Sequence, residues 1–174
     1  MEEFALYLRL GVGHIADWRA YDHILFVAAL TAAYDRRGWR RILWLVTAFT
    51  LGHSLTLAIA TFDLLRVPGR IVEPLIAGTI ILTALAGIHG QRRVEAAAGE
   101  PAWRGRYAAA GAFGLVHGLG FSGYLRSLLG GEESIALPLL AFNLGLEAGQ
   151  LLIVAVVFTL GVGVAWALQH YHAG

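Results

Sequence analysis

Histidines and acids interrupt stretches that are otherwise apolar: Asp22 and His23, then His53, then His117, then Glu147 flanked by Asn143 and Gln150. Imidazole and carboxylate together form a donor set for borderline divalent cations such as Ni²⁺, Co²⁺, Zn²⁺, Mn²⁺ or Fe²⁺. The chain has no cysteine, so disulfides, thiolate metal sites and cysteine nucleophiles are excluded together, and a metal must be held by nitrogen and oxygen. A ligating histidine is neutral, and its second nitrogen normally donates to a carboxylate or carbonyl. Asp22 and Glu147 therefore qualify as ligands or as the groups that orient them, and Thr50, Ser54, Asn143 and Gln150 offer further oxygen. A structural reading stands beside this one. A single buried histidine in a membrane helix often ties two helices together by hydrogen bonding, and Asp22 with His23 sits where a helix-end cap would. Glu147 resists the structural reading, because a central carboxylate in a membrane helix pairs, protonates or serves function.

The elements that must position these groups read as membrane helices. Hydrophobic residues make up 57% and charged residues 14% of the 174, against soluble averages of about 45–50% and about 25%. An ionisable side chain at bilayer depth costs roughly 2.5–3.5 kcal/mol on insertion scales, so four such places in one small chain point to a single polar site between helices. The expected fold is all-α, a polytopic membrane helix bundle of five to six transmembrane helices forming one domain. Spans are expected at about 18–34, 42–62, 72–89, 107–125 and 135–168, the first four near the roughly 20 residues that crossing requires and the last a long tilted helix. Residues 1–17 are too short and are expected at the interface or as a half-helix. Asn143, Glu147 and Gln150 fall at i, i+4 and i+7, on one face of a continuous helix.

All 13 basic residues are arginine. Four lie in residues 35–41 and four more are Arg92, Arg93, Arg104 and Arg106, while the intervening loops carry only Arg66 and Arg70, or Arg126. The alternation predicts an outside N-terminus and a cytosolic C-terminus in a membrane of the bacterial inner type. The start, Met1-Glu2-Glu3, lacks the basic region of a cleavable signal. At 1.5 Å per residue, His53, His117 and Glu147 then fall at similar depth, slightly below Asp22 and His23. His14 is a further candidate from the outer segment, whereas His89, His170 and His172 lie at helix ends or in the tail. Glu73 suits a helix N-terminus, and Trp39, Trp44 and Trp103 read as interface anchors. No repeat stands out along the chain. With a net charge of +1, nothing points to nucleic acid.

The ordered blocks GVGHIADWRAYDHILFVAAL, LVTAFTLGHSLTLAIA, VEPLIAGTIIL, GAFGLVHGLGFSGYL and LLAFNLGLEAGQL resemble the HupE/UreJ membrane proteins, particularly their second, shorter branch, over about residues 11–155. The resemblance implies a nickel or cobalt permease. By motif it assigns His14, Asp22 and His23 to an H-x(n)-D-H signature, His53 to a T-x-x-H-S-x-T-L block, His117 to H-G-L-G-F, and Glu147 with Gln150 to F-N-L-G-x-E-x-G-Q. Two departures stand out. Seven residues separate His14 from Asp22 where about five are usual in such proteins, and Ala86 and Gly87 occupy the places of a Glu-Asn pair common in relatives.

Three functions follow. The first is a membrane permease for a divalent transition-metal cation, Ni or Co, with a metal site of His14, Asp22, His23, His53, His117 and Glu147. The second is an intramembrane zinc-dependent hydrolase, in which a metal-bound water attacks and Glu147 or Asp22 is the base. The third is a non-transporting accessory subunit whose polar groups form a closed hydrogen-bonded network. A homo-oligomer or a partner membrane subunit fits the small size.

Overall fold

The computed structural model describes residues 1–19, 21–32, 34, 38–97, 100–129 and 134–171. These form six helices: α1 (Glu2–Ala16), α2 (Tyr21–Ala32), α3 (Trp39–Thr61), α4 (Gly69–Ala97), α5 (Glu100–Leu129) and α6 (Ala136–Tyr171). The chain is all-α as expected. Three helical stretches are long and apolar enough to cross a membrane: Trp39–Thr61, Gly69–Ile88 and Ala136–Tyr171. The α5 segment is absent from that set. Its centre is rich in glycine and carries His117, which lowers its hydropathy, and its glycine face meets protein.

The first thirty residues hold two short helices. α1 has 15 residues and α2 only 12, each below the roughly 20 needed to cross alone. The break falls at Asp17, whose backbone is extended (φ −66°, ψ 116°) and whose carboxylate accepts the Arg19 N–H at 2.9 Å. That local bond offers the backbone an alternative to another helical turn. α2 runs antiparallel to α5, with His23 beside His117, Phe26 beside Phe113, and Arg106 donating to the Tyr34 hydroxyl at 3.0 Å.

Two helix pairs dominate the packing, α3 with α5 and α1 with α6. Both are made by glycine. A Cβ on Gly52 would overlap the Gly111 carbonyl, one on Gly114 the Phe49 carbonyl, and one on Gly118 the His53 carbonyl and the Thr56 hydroxyl. In the other pair, a Cβ on Gly145 would overlap the Leu8 carbonyl, one on Gly11 the Phe142 carbonyl, and one on Gly149 the Ile15 side chain. Small residues let backbones touch in this way, which is how apolar helices associate when lipid removes the hydrophobic drive. In each pair the contacts advance together along both helices, so the partners run parallel.

The two pairs share one register. Pairing α3 with α6 and α5 with α1 maps Gly52–Gly111 onto Gly145–Leu8, Gly114–Phe49 onto Gly11–Phe142, and Gly118–Thr56 onto Ile15–Gly149. The sequence then aligns: Ala48-Phe49-Thr50-Leu51-Gly52 with Ala141-Phe142-Asn143-Leu144-Gly145, and Gly114-x-x-His117 with Gly11-x-x-His14. The chain therefore does contain a repeat. It escapes a linear reading because the two halves present their elements in crossed order and are only a few residues alike.

The buried core between the pairs is aromatic and aliphatic, with Phe26, Phe49, Phe142, Leu45 and Leu146 essentially inaccessible. Trp39 and Trp44 are exposed, as interface anchors should be. Trp103 is not: it is 2% exposed, with the Arg41 guanidinium 4.3 Å and the Arg106 guanidinium 5.0 Å from its ring centroid. Cation–π contact thus fixes it beneath two arginines rather than at lipid.

Candidate metal centre

Most hydroxyls in these helices satisfy themselves. Thr31 donates to the Val27 carbonyl, Thr61 to Leu57, Thr83 to Thr79 and Ser54 to Thr50, each one turn back. A helix can hold such residues in apolar surroundings because the nearby carbonyl removes the desolvation cost. Ser54 is therefore turned onto its own helix. The histidines behave otherwise.

His23, His53 and His117 are 3%, 0% and 0% exposed. Four helices bring them together with His14: the end of α1, the start of α2, and the middles of α3 and α5. Ring centroids lie 4.7 Å apart for His14–His23, 5.8 Å for His23–His53, 6.0 Å for His14–His53 and 5.1 Å for His23–His117. Two sets of donor atoms converge to within 4.8 Å of one another: His14, His23 and His53, and Asp22, His23 and His117. His23 belongs to both. The α1–α2 break matters here, because it lets His14 and His23 face one another across the interruption.

Both nitrogens of His23 and of His53 are buried without a hydrogen-bond partner, as are His14 Nε2, His117 Nδ1 and Asp22 Oδ1. Asp22 Oδ1 lies 3.3 Å from His23 Nδ1, close enough for ion pairing but off the hydrogen-bond angle. Leaving a buried polar atom unpaired costs about 1–3 kcal/mol. A set of imidazoles joined only as structural glue would be paired instead. Unpaired donor atoms within 4.8 Å of one another are an arrangement that a cation could satisfy.

His117 also meets a hydroxyl from outside the cluster. Thr79 Oγ1 lies 2.7 Å from the Ile76 carbonyl and 2.9 Å from His117 Nε2; with its one proton on that carbonyl, the hydroxyl oxygen accepts from an Nε2–H. Nδ1 is then the lone-pair nitrogen. Thr79 is a neighbour of the candidate site that the sequence reading missed, and nothing in its apolar context (Ala77-Gly78-Thr79-Ile80) marked it among the chain's threonines. Thr79→Val should weaken divalent-cation binding by about 10- to 100-fold, the range for lost groups that support a ligand. Thr79→Ser should restore it, as read by equilibrium dialysis of the purified protein.

Five of the six expected ligands thus converge. Glu147 is half-buried and stands outside both sets: its Oε1 accepts the Thr47 hydroxyl at 2.6 Å. Thr47 precedes His53 by six residues, about 9 Å along the helix. One turn on, Thr50 donates to Gln150 Oε1 at 2.8 Å, while Gln150 Nε2 and Asn143 Oδ1 are buried and unpartnered. Thr47, Thr50, Glu147 and Gln150 make a second polar patch between α3 and α6. His170 lies on the exposed end of α6 with Nδ1 2.9 Å from the Trp166 carbonyl. The His89 side chain and His172 lie outside the described residues.

Two clefts reach the cluster. One, of about 360 Å³, is lined by His14, Asp17, Phe121, Tyr124 and Phe142 among others. The second, of about 410 Å³, has Asp22 and Glu73 on its wall. Glu73 therefore faces the cleft that leads to Asp22.

A family model described as HupE / UreJ protein matches residues 1–172. No curated protein and no solved structure matches the chain.

Proposed function

Since this chain belongs to the HupE/UreJ family, we propose that it is a membrane permease for a divalent transition-metal cation, with Ni²⁺ or Co²⁺ as the substrate. The observation that carries this reading is the buried cluster in which His23 is shared by two converging donor sets whose nitrogens lack partners. The cation enters past Asp22 and Glu73, exchanging its hydration shell for imidazole nitrogen. His14, His23 and His53 form one resting place, and Asp22, His23 and His117 the next. A shared ligand lets an ion pass between them without ever losing more than part of its coordination. Neutral imidazole and a single carboxylate favour Ni²⁺ and Co²⁺ over Mg²⁺ or Ca²⁺, which demand oxygen. Glu147, with Thr47, Thr50 and Gln150, supplies the next oxygen donors along α3 and α6, and its carboxylate is the group available to carry a coupled proton.

The test is uptake of Ni²⁺ and Co²⁺ into proteoliposomes, beside elemental analysis of protein purified without chelator or metal resin. Wild type should take up the cations, and His53→Ala and His117→Ala should each lower uptake at least about tenfold. Unchanged uptake in both variants would end the permease reading.

A further inference from the structure

Along α5, His117 lies between two aromatic clusters. Toward the C-terminal end of α5, Phe121 stacks on Phe142 with ring centroids 5.4 Å apart and planes 11° from parallel, and it covers His14 at 3.7 Å. Toward the N-terminal end, Phe26 stacks on Phe49 at 4.6 Å and covers His117 at 5.2 Å. Each cluster is one phenylalanine laid over a Phe–His pair. Those pairs are equivalent under the internal repeat, since Phe142 corresponds to Phe49 and His14 to His117.

Each covering ring also faces open space on its far side. Phe121 lines the cleft of about 360 Å³ that runs toward Tyr124 and Leu128. Phe26 lines a separate cavity of about 380 Å³ that runs the other way, past Phe113 to Arg106 and Tyr34. Phe26 is fully buried, whereas Phe121 is partly exposed. His14 and Phe121 thus share the wall of the first cleft, while Phe26 stands between His117 and the second cavity, at the opposite end of the bundle.

The geometry points to Phe121 and Phe26 as two gates of the permeation path, each laid over one of the two repeat-related Phe–His pairs and opening on opposite ends of the bundle. This rests on the permease reading above. The repeat is what makes alternation natural: two halves of like construction around one central site exchange conformations, so that the site opens to one side and then the other. In the conformation described, the Phe26 gate is the tighter of the two, and the site lies closer to opening past Phe121.

The absence of native cysteine makes a sided test direct. Thr79→Cys places a single thiol against His117, between the two rings, and its reaction with a membrane-impermeant cationic thiosulfonate is followed in vesicles of known orientation. Phe121→Ala should speed modification about two- to tenfold from the side of the α5 C-terminus only, the factor expected for losing one aromatic pair. Phe26→Ala should do so from the arginine-rich side only. Phe121→Leu and Phe26→Leu keep the apolar bulk and should give the same sidedness at smaller amplitude, which covers an alanine variant that does not fold. Rates raised from the same side by both, or by neither, overturn the gates. Ni²⁺ binding measured in detergent on the phenylalanine variants with Thr79 intact separates the two ideas. Sided labelling without any metal binding would leave the gates standing and remove the permease substrate, while intact binding without sidedness would do the reverse.

Discussion

Replacing His23 with alanine should abolish cation binding, whereas replacing His14 or His117 should only weaken it. His23 lies in both converging donor sets, while His14 and His117 each lie in one. Removing it leaves two donors in either place, below what a buried transition-metal ion needs to offset its lost hydration. The loss should exceed the roughly 10- to 100-fold that follows removal of a supporting group, and the single His14→Ala and His117→Ala variants should fall short of it. Titration with Co²⁺ reads affinity and geometry together, because the visible spectrum reports the number and type of donors. Binding of Co²⁺ by His23→Ala within a few-fold of wild type would show that the two sets do not share a ligand.

The second large effect concerns glycine, and its sign depends on position. Gly52→Ala and Gly145→Ala put a methyl group onto the Gly111 and Leu8 carbonyls. Backbone cannot yield as a flexible side chain does, so each change should destabilise the protein by about 1–3 kcal/mol or more. Gly13→Ala and Gly78→Ala meet nothing within 4 Å. There the gain in helix propensity applies, and stability should rise by up to about 1 kcal/mol. Thermal unfolding in one detergent compares all four. Equal effects at tight and open positions would mean that the close helix contacts do not govern stability.

Much of the site was legible because charge in an apolar run is conspicuous. His23, His53 and His117 stood out for that reason, and they converge. Helix class followed from composition and from apolar runs of membrane length. What remained hidden has physical causes. The junction near Asp17 is a local competition between a carboxylate and the helical turn, and a hydropathy window averages over it, so residues 1–17 read as interfacial or a half-helix and residues 18–34, which hold α2, as a full span. Thr79 is one hydroxyl among many, and only its place beside His117 sets it apart. Depth alone grouped Glu147 with His53 and His117, but depth says nothing of the direction a side chain takes around the helix. Glu147 points to Thr47.

The backbone-to-backbone zippering of α3 with α5 and of α1 with α6 makes each pair stiff, because sliding either helix would drive carbonyls into Cα atoms. Motion must then be taken up where the stiff units meet. Two hydrogen bonds cross from α3 to α6, Thr47 to Glu147 and Thr50 to Gln150. Polar links of this kind are worth about 0.6 kcal/mol on average in a membrane protein, weak enough to trade partners at ambient temperature. The proposed transport cycle would then shear the seam where these two stiff pairs meet, with the Thr47–Glu147 link among the contacts to be exchanged.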